Sequence, residues 1–307
     1  MKTAIIGAAR TRNGIGEYIG KYAHQNGARV IAVQGTTAQT ARDAAQALRR
    51  YGIAARAYSD FTTLAARETP EAVIIASPAR THYTYIIQAI ERGQHIFCEK
   101  PFVWDVHSPI QEVLEDIFSQ ADSAGIVVAM NSQWPFSLRS YEKLCGPIEK
   151  RAAHSFFISL SPLCSGRQMI VEAVPHALSI LYHIYGAGII EGLAVESRKK
   201  KMALRFQYVA DDTACNVLIN LEQNKRQPRG FSFGFNENIV RREIDMETYR
   251  ISFAHKNDTL IVPDPLELSV KDFLAAVREQ REPLIGKQHI LSTMRLLKQI
   301  YDACEVE

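Results

Sequence analysis

The sequence predicts two domains, one α/β and one α+β. A doubly wound parallel sheet occupies residues 1–131, and a mostly antiparallel sheet occupies residues 132–287. Three observations carry this. Near the start, a short apolar strand runs directly into a glycine-bearing turn and then a helix. Further on, a strand, a helix and a second strand of crossover length end at Glu99-Lys100-Pro101. After Gly146-Pro147, alternation of strands and helices gives way to strand upon strand with short polar turns.

Thr3–Ile6 is the first strand, and it enters a loop that carries Gly7, Gly14, Gly16 and Gly20. A helix follows to about His24, and Gly27 precedes a second strand, Arg29–Val33. Glycines let a backbone approach a pyrophosphate, and a helix N-terminus favours its negative charge. The spacing is not a clean G-x-G-x-x-G, and the stretch before Gly14 is long and carries two arginines. The strand-turn-helix-strand context nevertheless makes this a dinucleotide-binding turn of the Rossmann type. Gly7, Arg10, Arg12, Asn13, Gly14 and Ile15 are its candidate contacts. The alternative is a glycine-rich turn with no ligand.

The end of the second strand separates NAD from NADP, because an acid there binds the ribose hydroxyls and repels a 2′-phosphate. Here it reads Val33-Gln34-Gly35-Thr36-Thr37, with no acid before Asp43. Hydroxyls of Thr36 and Thr37 could donate to a phosphate, with charge from Arg10, Arg12 or Arg42. This predicts NADP, with NAD possible. Alternatively, Thr36 or Thr37 only caps the helix Ala38–Arg50.

Ala72–Ala76 is a buried-strand run broken by Ser77-Pro78. A helix over Thr81–Arg92 places Ile86, Ile87 and Ile90 on one stripe, with Gly93 as its stop. The strand His95–Cys98 follows, so Lys100 lies on the same sheet edge as Ser77-Pro78. That edge is where open α/β sheets bind ligands. The proline biases Lys100 toward extended backbone. Helix Pro109–Ala124 and strand Gly125–Met130 complete the first domain.

Strands over 153–160, 193–196, 203–209, 213–221, 230–235, 238–244 and 248–254 build the second sheet. One helix, Val171–Tyr185, is embedded among them, and a final helix, 288–304, is expected to pack back on the first domain. Glu172 and His176 lie four apart, on one helix face. Pro175 leaves two options: a helix through both residues, or one that starts at the proline with Glu172 in a preceding turn. Alternation groups Phe206 with Tyr208, and Phe231 with Phe233 and Phe235. These aromatics either form an open apolar patch or face the core under the helix.

Together these motifs resemble the glucose–fructose oxidoreductase/inositol dehydrogenase/rhizopine-catabolism (Gfo/Idh/MocA) family. The resemblance rests on the N-terminal glycine loop, Ser77-Pro78-x-x-x-His82, Glu99-Lys100-Pro101 and Glu172-x-x-x-His176, and it covers nearly the whole chain. Tyr58-Ser59-Asp60-Phe61, the run from Val270 to Phe273 and Glu282-Pro283-Leu284 are similar too. The resemblance implies that Lys100 contacts cofactor and substrate, and that residues 172 and 176 line the reacting carbon. It assigns Ser77, Pro78, His82 and Glu99 to the cofactor side. The chain departs from the family pattern with Glu172 for Asp, Ser165-Gly166-Arg167-Gln168 for a glycine run, and Ala79 for Asn.

Composition agrees. The 307 residues suffice for two cores, and the 47% hydrophobic fraction is ordinary for a globular protein. A net charge of +3 and a pI of about 8.5 are too mild to imply a nucleic-acid partner. Five scattered cysteines without a C-x-x-C pair argue against a disulfide framework or zinc site and for a reducing compartment. With no apolar run of membrane-spanning length and a strand that begins at Thr3, a cytoplasmic protein is expected.

The chemistry expected is hydride transfer between nicotinamide and a carbonyl or hydroxyl carbon of a sugar, cyclitol or similar polar small molecule. Its catalytic residues would be Lys100, His176 and Glu172. The rival readings are an imine reductase of secondary metabolism and a catalytically silent NADP-binding sensor of the same fold. A short-chain reductase is excluded, because no Tyr-x-x-x-Lys follows the fourth strand. A homodimer or homotetramer is expected through the second sheet.

Overall fold

The structure, a computed structural model, describes residues 1–8 and 15–304. Two compact units emerge. One comprises Met1–Asn131 with Leu266–Leu291, and the other Ser132–Pro265 with the chain from Ser292 onward.

The first unit runs β1 (Lys2–Ile6), α1 (Gly16–Gln25), β2 (Arg29–Gln34), α2 (Ala38–Arg49), β3 (Arg56–Tyr58), α3 (Phe61–Glu68), β4 (Ala72–Ile75), α4 (His82–Ile90), β5 (His95–Glu99), α5 (Ile110–Ser123) and β6 (Val128–Asn131). Its strands form a fully parallel sheet in the order β3-β2-β1-β4-β5-β6, the doubly wound Rossmann arrangement. The chain order reverses between β2 and β4, so the ligand-binding switch point falls at the carboxyl end of β1. β4 is buried along its whole length, as a central strand covered on both faces should be.

The second unit begins with α6 (Leu138–Cys145), β7 (Ser155–Leu160) and α7 (Gln168–Tyr185). Seven strands follow: β8 (Ile189–Arg198), β9 (Lys201–Ala210), β10 (Thr213–Glu222), β11 (Phe231–Phe235), β12 (Asn238–Ile244), β13 (Ile251–His255) and β14 (Asp258–Val262). They pair in the order β14-β13-β12-β11-β7-β10-β9-β8. Every pairing is antiparallel except β7 with β10.

Helix α7 covers one face of this sheet, with Tyr185 packed on Tyr208 and Phe235. Phe206, Tyr208, Phe231, Phe233 and Phe235 are all buried, so the aromatic runs face the core. The opposite face carries Phe157, Leu218 and Ile239, which lie in one cross-strand row through Gly234.

α7 starts at Gln168 and passes through Pro175, so Glu172 is helical. Burial of Met169, Ile170, Val171, Ala173 and Val174 holds the turns before the proline despite its missing N–H. The last two helices are α8 (Pro265–Glu279) and α9 (Lys287–Ala303). α8 belongs to the first unit, where Phe273 stacks on Phe97 with ring centroids 5.3 Å apart. α9 gives only its start, to Leu291, to that unit. Its remainder joins the second unit, where Arg295 donates to the Gly188 carbonyl at 2.7 Å. The helix 288–304 is therefore shared, and α8 is the one that returns to the first core.

Candidate functional site

In the first unit the candidate residues collect at the carboxyl ends of β1, β4 and β5. Gly7 ends β1 with φ at +85°, and a Cβ there would lie 2.6 Å from the Ser77 nitrogen. A Cβ on Gly16 would lie 2.8 Å from the Gly7 carbonyl oxygen. Both glycines are thus required by contact, one for the turn and one for close packing of α1 against the sheet. The Ile15 carbonyl accepts from Tyr18 and Ile19 and so opens the helix. Arg10, Arg12, Asn13 and Gly14 lie outside the described residues.

His82, at the start of α4, is 1% exposed and ties two strand ends together. Its Nε2 lies 2.8 Å from the Ser77 carbonyl, and its Nδ1 lies 3.0 Å from the Pro101 carbonyl and 3.2 Å from that of Phe102. Burial holds its pKa below the usual histidine value, and the Lys100 charge acts the same way. The three carbonyls oppose this without overcoming it. The Ser77 hydroxyl shares a hydrogen bond with Thr81 at 2.7 Å, while Pro78 is exposed and opens the turn Ala79–Thr81.

Lys100 follows β5 directly and is partly exposed, and its peptide bond to Pro101 is cis. Glu99 accepts a short hydrogen bond from the Asn131 side-chain amide, and burial raises its pKa. The Asn131 side-chain oxygen and the Gln34 side-chain oxygen are buried without a partner among the described residues. The orphaned Gln34 oxygen lies beside the Gly7 turn, where a polar ligand would complete it. The edge therefore fits a dinucleotide, which the Gly7 and Ser77 backbone would hold.

At the end of β2, Thr37 is the N-cap of α2 and accepts from the Thr40 backbone in a reciprocal capping box. Its neighbour Thr36 is exposed. The Gln34 amide donates to the Tyr85 hydroxyl at 2.9 Å, and Arg42 donates to Gln39 at 2.8 Å. The capping reading thus holds for Thr37, and Thr36 keeps its surface.

In the second unit, Glu172 and His176 share one side of α7 but have different surroundings. Glu172 accepts from the backbone N–H groups of Leu163 at 3.0 Å and Cys164 at 3.3 Å. Arg229 approaches the same carboxylate at 3.5 Å. The extra methylene of Glu carries the carboxylate to this loop, where it organises backbone. His176 is partly buried, with Nδ1 3.4 Å from the Ser132 hydroxyl and its ring edge-on to Trp134 at 6.3 Å. Arg167, in the segment that replaces the glycine run, lies 4.0 Å over the Tyr301 ring and donates to its carbonyl at 2.5 Å.

The motif reading did not reach Arg242. Its guanidinium lies 5.3 Å over Trp134 and 5.5 Å over Phe231, and donates to the Arg229 carbonyl at 2.6 Å. Burial, assisted by the Arg229 charge, lowers its pKa to about 10. Strand alternation was the available signal, since Arg242 shares its face with the buried Val240.

The first unit has the fold of a dinucleotide-binding Rossmann domain. The model of the Gfo/Idh/MocA oxidoreductase family, NAD-binding Rossmann fold, matches residues 1–131, and this part of the chain is similar to that family. Inositol 2-dehydrogenase of Burkholderia lata is 40% identical over 208 residues, which cover 64% of this chain and 60% of that relative. UDP-N-acetylglucosamine 3-dehydrogenase from Acidithiobacillus ferrooxidans shares the fold, with a TM-score of 0.72, 19% identity, and 99% and 98% of the two chains covered. So does an oxidoreductase from Agrobacterium radiobacter solved with NAD+, L-tartaric acid and magnesium, at a TM-score of 0.69 and 13% identity, covering 99% and 96%. Among the described residues, no helix is long and apolar enough to cross a membrane.

His82 makes stability depend on pH. Its folded pKa lies below the unfolded value near 6.5, so the unfolded chain takes up the proton first on acidification. Stability is full above about pH 6.5 and falls below it, by up to about 1.4 kcal/mol per pH unit while the folded imidazole stays neutral. His95, lowered by burial, adds to the slope, and Glu99 opposes it because its raised pKa lets the fold bind a proton early. Urea melts should show lower stability at pH 5.5 than at 7.5, with the slope reduced in His82→Asn. A slope unchanged by that substitution would refute the assignment.

Proposed function

We propose that the protein is a cytoplasmic, NADP-preferring oxidoreductase that moves a hydride between nicotinamide and a carbonyl or hydroxyl carbon of a sugar, cyclitol or similar polar small molecule. The observation that carries this is Lys100, presented at the carboxyl end of β5 in the same unit as the Gly7 cradle. The cofactor, when bound, supplies the hydride. Gly7 and Ser77 bring backbone to the pyrophosphate side, and the N-terminus of α1 favours its charge. Lys100 stabilises negative charge that develops on the substrate oxygen. His176 carries the proton, since an imidazole exchanges one near neutrality and Ser132 holds its Nδ1 side. Glu172 positions the loop at Leu163–Cys164.

NADP preference is supported by the absence of an acid at the end of β2 and the exposed hydroxyl of Thr36. NADPH should bind at least about tenfold tighter than NADH, a difference of about 1.4 kcal/mol. Thr36→Asp should reverse the order by like-charge repulsion. Equal affinities in titration calorimetry would remove the preference.

The enzyme reading separates from the silent-sensor reading by turnover. Lys100→Met should leave NADPH binding nearly intact and lower kcat by about 10²–10³. His176→Asn should also slow the reaction, and should change the shape of the pH–rate profile. These rates are measured on the substrate found by a carbonyl and polyol screen. Unchanged kcat in both variants would overturn the assignment of this site.

The open sheet face supports self-association. Phe157, Leu218 and Ile239 lie in one row, and Ile261 on the same face is 60% exposed. We place the contact of a homodimer or homotetramer there. Light scattering at micromolar concentration should give a multiple of the 34.5 kDa chain, and Phe157→Lys should lower it. A monomeric wild type would exclude the assembly.

A further inference from the structure

We propose that Arg242, with Arg229 beside it, forms an oxyanion-binding subsite in the second unit, so that the substrate is an acidic polyol carrying a carboxylate or phosphate rather than a neutral one. This rests on the reading that the surroundings of His176 receive the substrate.

The argument begins with position. Arg242 lies on β12 at an inward-facing register, where Val240 is buried. A charge at such a place needs a partner. One of its N–H groups donates to the Arg229 carbonyl, but its Nε is buried and has no hydrogen-bond partner. Its neighbouring charges are Arg229, which repels it, and Asp264, which acts more weakly. The third charge in the cluster, Glu172, is committed to two backbone N–H groups and to Arg229. The cluster therefore holds a cation whose Nε–H has no acceptor among the described residues.

Location gives that donor a use. The Trp134 and Phe231 rings are stacked at 3.6 Å, Arg242 lies against both, and His176 meets the edge of the same indole. Trp134 is thus a shared wall between the proton-carrying imidazole and the guanidinium. An oxyanion accepting from Nε–H would complete Arg242 and fix the substrate relative to His176. Guanidinium suits this role because its planar fork stays charged at neutral pH and matches a carboxylate or phosphate edge. The lowered pKa of about 10 still leaves the group protonated there.

The test titrates the NADPH-bound full chain with D-glucuronate, D-glucose 6-phosphate and D-glucose, read by thermal shift and tryptophan fluorescence, with Trp104→Phe isolating the Trp134 signal. At least one acidic sugar should bind roughly tenfold or more tighter than glucose. A preference between the two identifies carboxylate or phosphate as the group. Arg242→Gln should abolish the acidic advantage and leave glucose within about twofold, and Arg242→Lys should restore part of it. If no acidic sugar outperforms glucose, the proposal is overturned. It is overturned equally if Arg242→Gln weakens all three alike with a lower Tm, since Arg242 would then only clamp the ring stack. Failure of NADPH to bind would sink the oxidoreductase reading instead, and Arg242-dependent retention of an acidic sugar would survive it.

Discussion

The first unit depends on a place where two backbones meet with no side chain between them. The Gly7 turn lies so close to the Ala76–Ser77 backbone that a Cβ on Gly7 would fall 2.6 Å from the Ser77 nitrogen. This contact sets the ends of β1 and β4 together. With Ser77 placed, its carbonyl meets His82 Nε2, and Nδ1 of the same imidazole meets the Pro101 and Phe102 carbonyls. Lys100 is therefore located relative to Gly7 by a short chain of backbone atoms and one buried ring. Flexible side chains take no part in that chain of contacts, which is why the lysine can be held without being buried.

The second unit uses its charges differently. Glu172 organises a loop, Arg167 braces Tyr301, and Arg229 stands between Glu172 and Arg242. A family pattern with Asp and glycines would leave more open backbone there. Here longer, charged side chains span that space. The departures at 165–168 and at 172 are thus one structural change: the loop before α7 is pinned by side chains rather than left to glycine.

Much of this was legible in the sequence because periodicity and turn chemistry report local structure directly. The parallel sheet and the crossover to Lys100 follow from spacing within some thirty residues, whereas Pro175 left open whether Glu172 is helical, which burial of the turns before it decides. β14 was missed because its run, Asp258–Val262, adjoins β13 across a two-residue turn at Lys256–Asn257 and reads as its continuation. The assignments of α8 and α9 were not legible, because which core a terminal helix joins depends on partners far away, such as Phe97 for Phe273. Arg242 was hidden for a similar reason. Its place on an inward register is visible in the alternation of β12, but that its Nε lacks an acceptor among the described residues is a property of the folded neighbourhood.

The interleaving of the two units bears on how the chain is made. The first sheet is complete in sequence by Asn131, yet it lacks α8 until synthesis has passed Glu279. Strand β7 waits in the same way, since both its neighbours, β10 and β11, come after α7, β8 and β9. Neither unit can close as it leaves the ribosome. During that interval the apolar surfaces of β5 and β7 are bare, and their closure carries the loop-closure cost of distant contacts. Such a chain acquires its cores nearly together once α9 has been made, so premature termination anywhere before α9 leaves both incomplete.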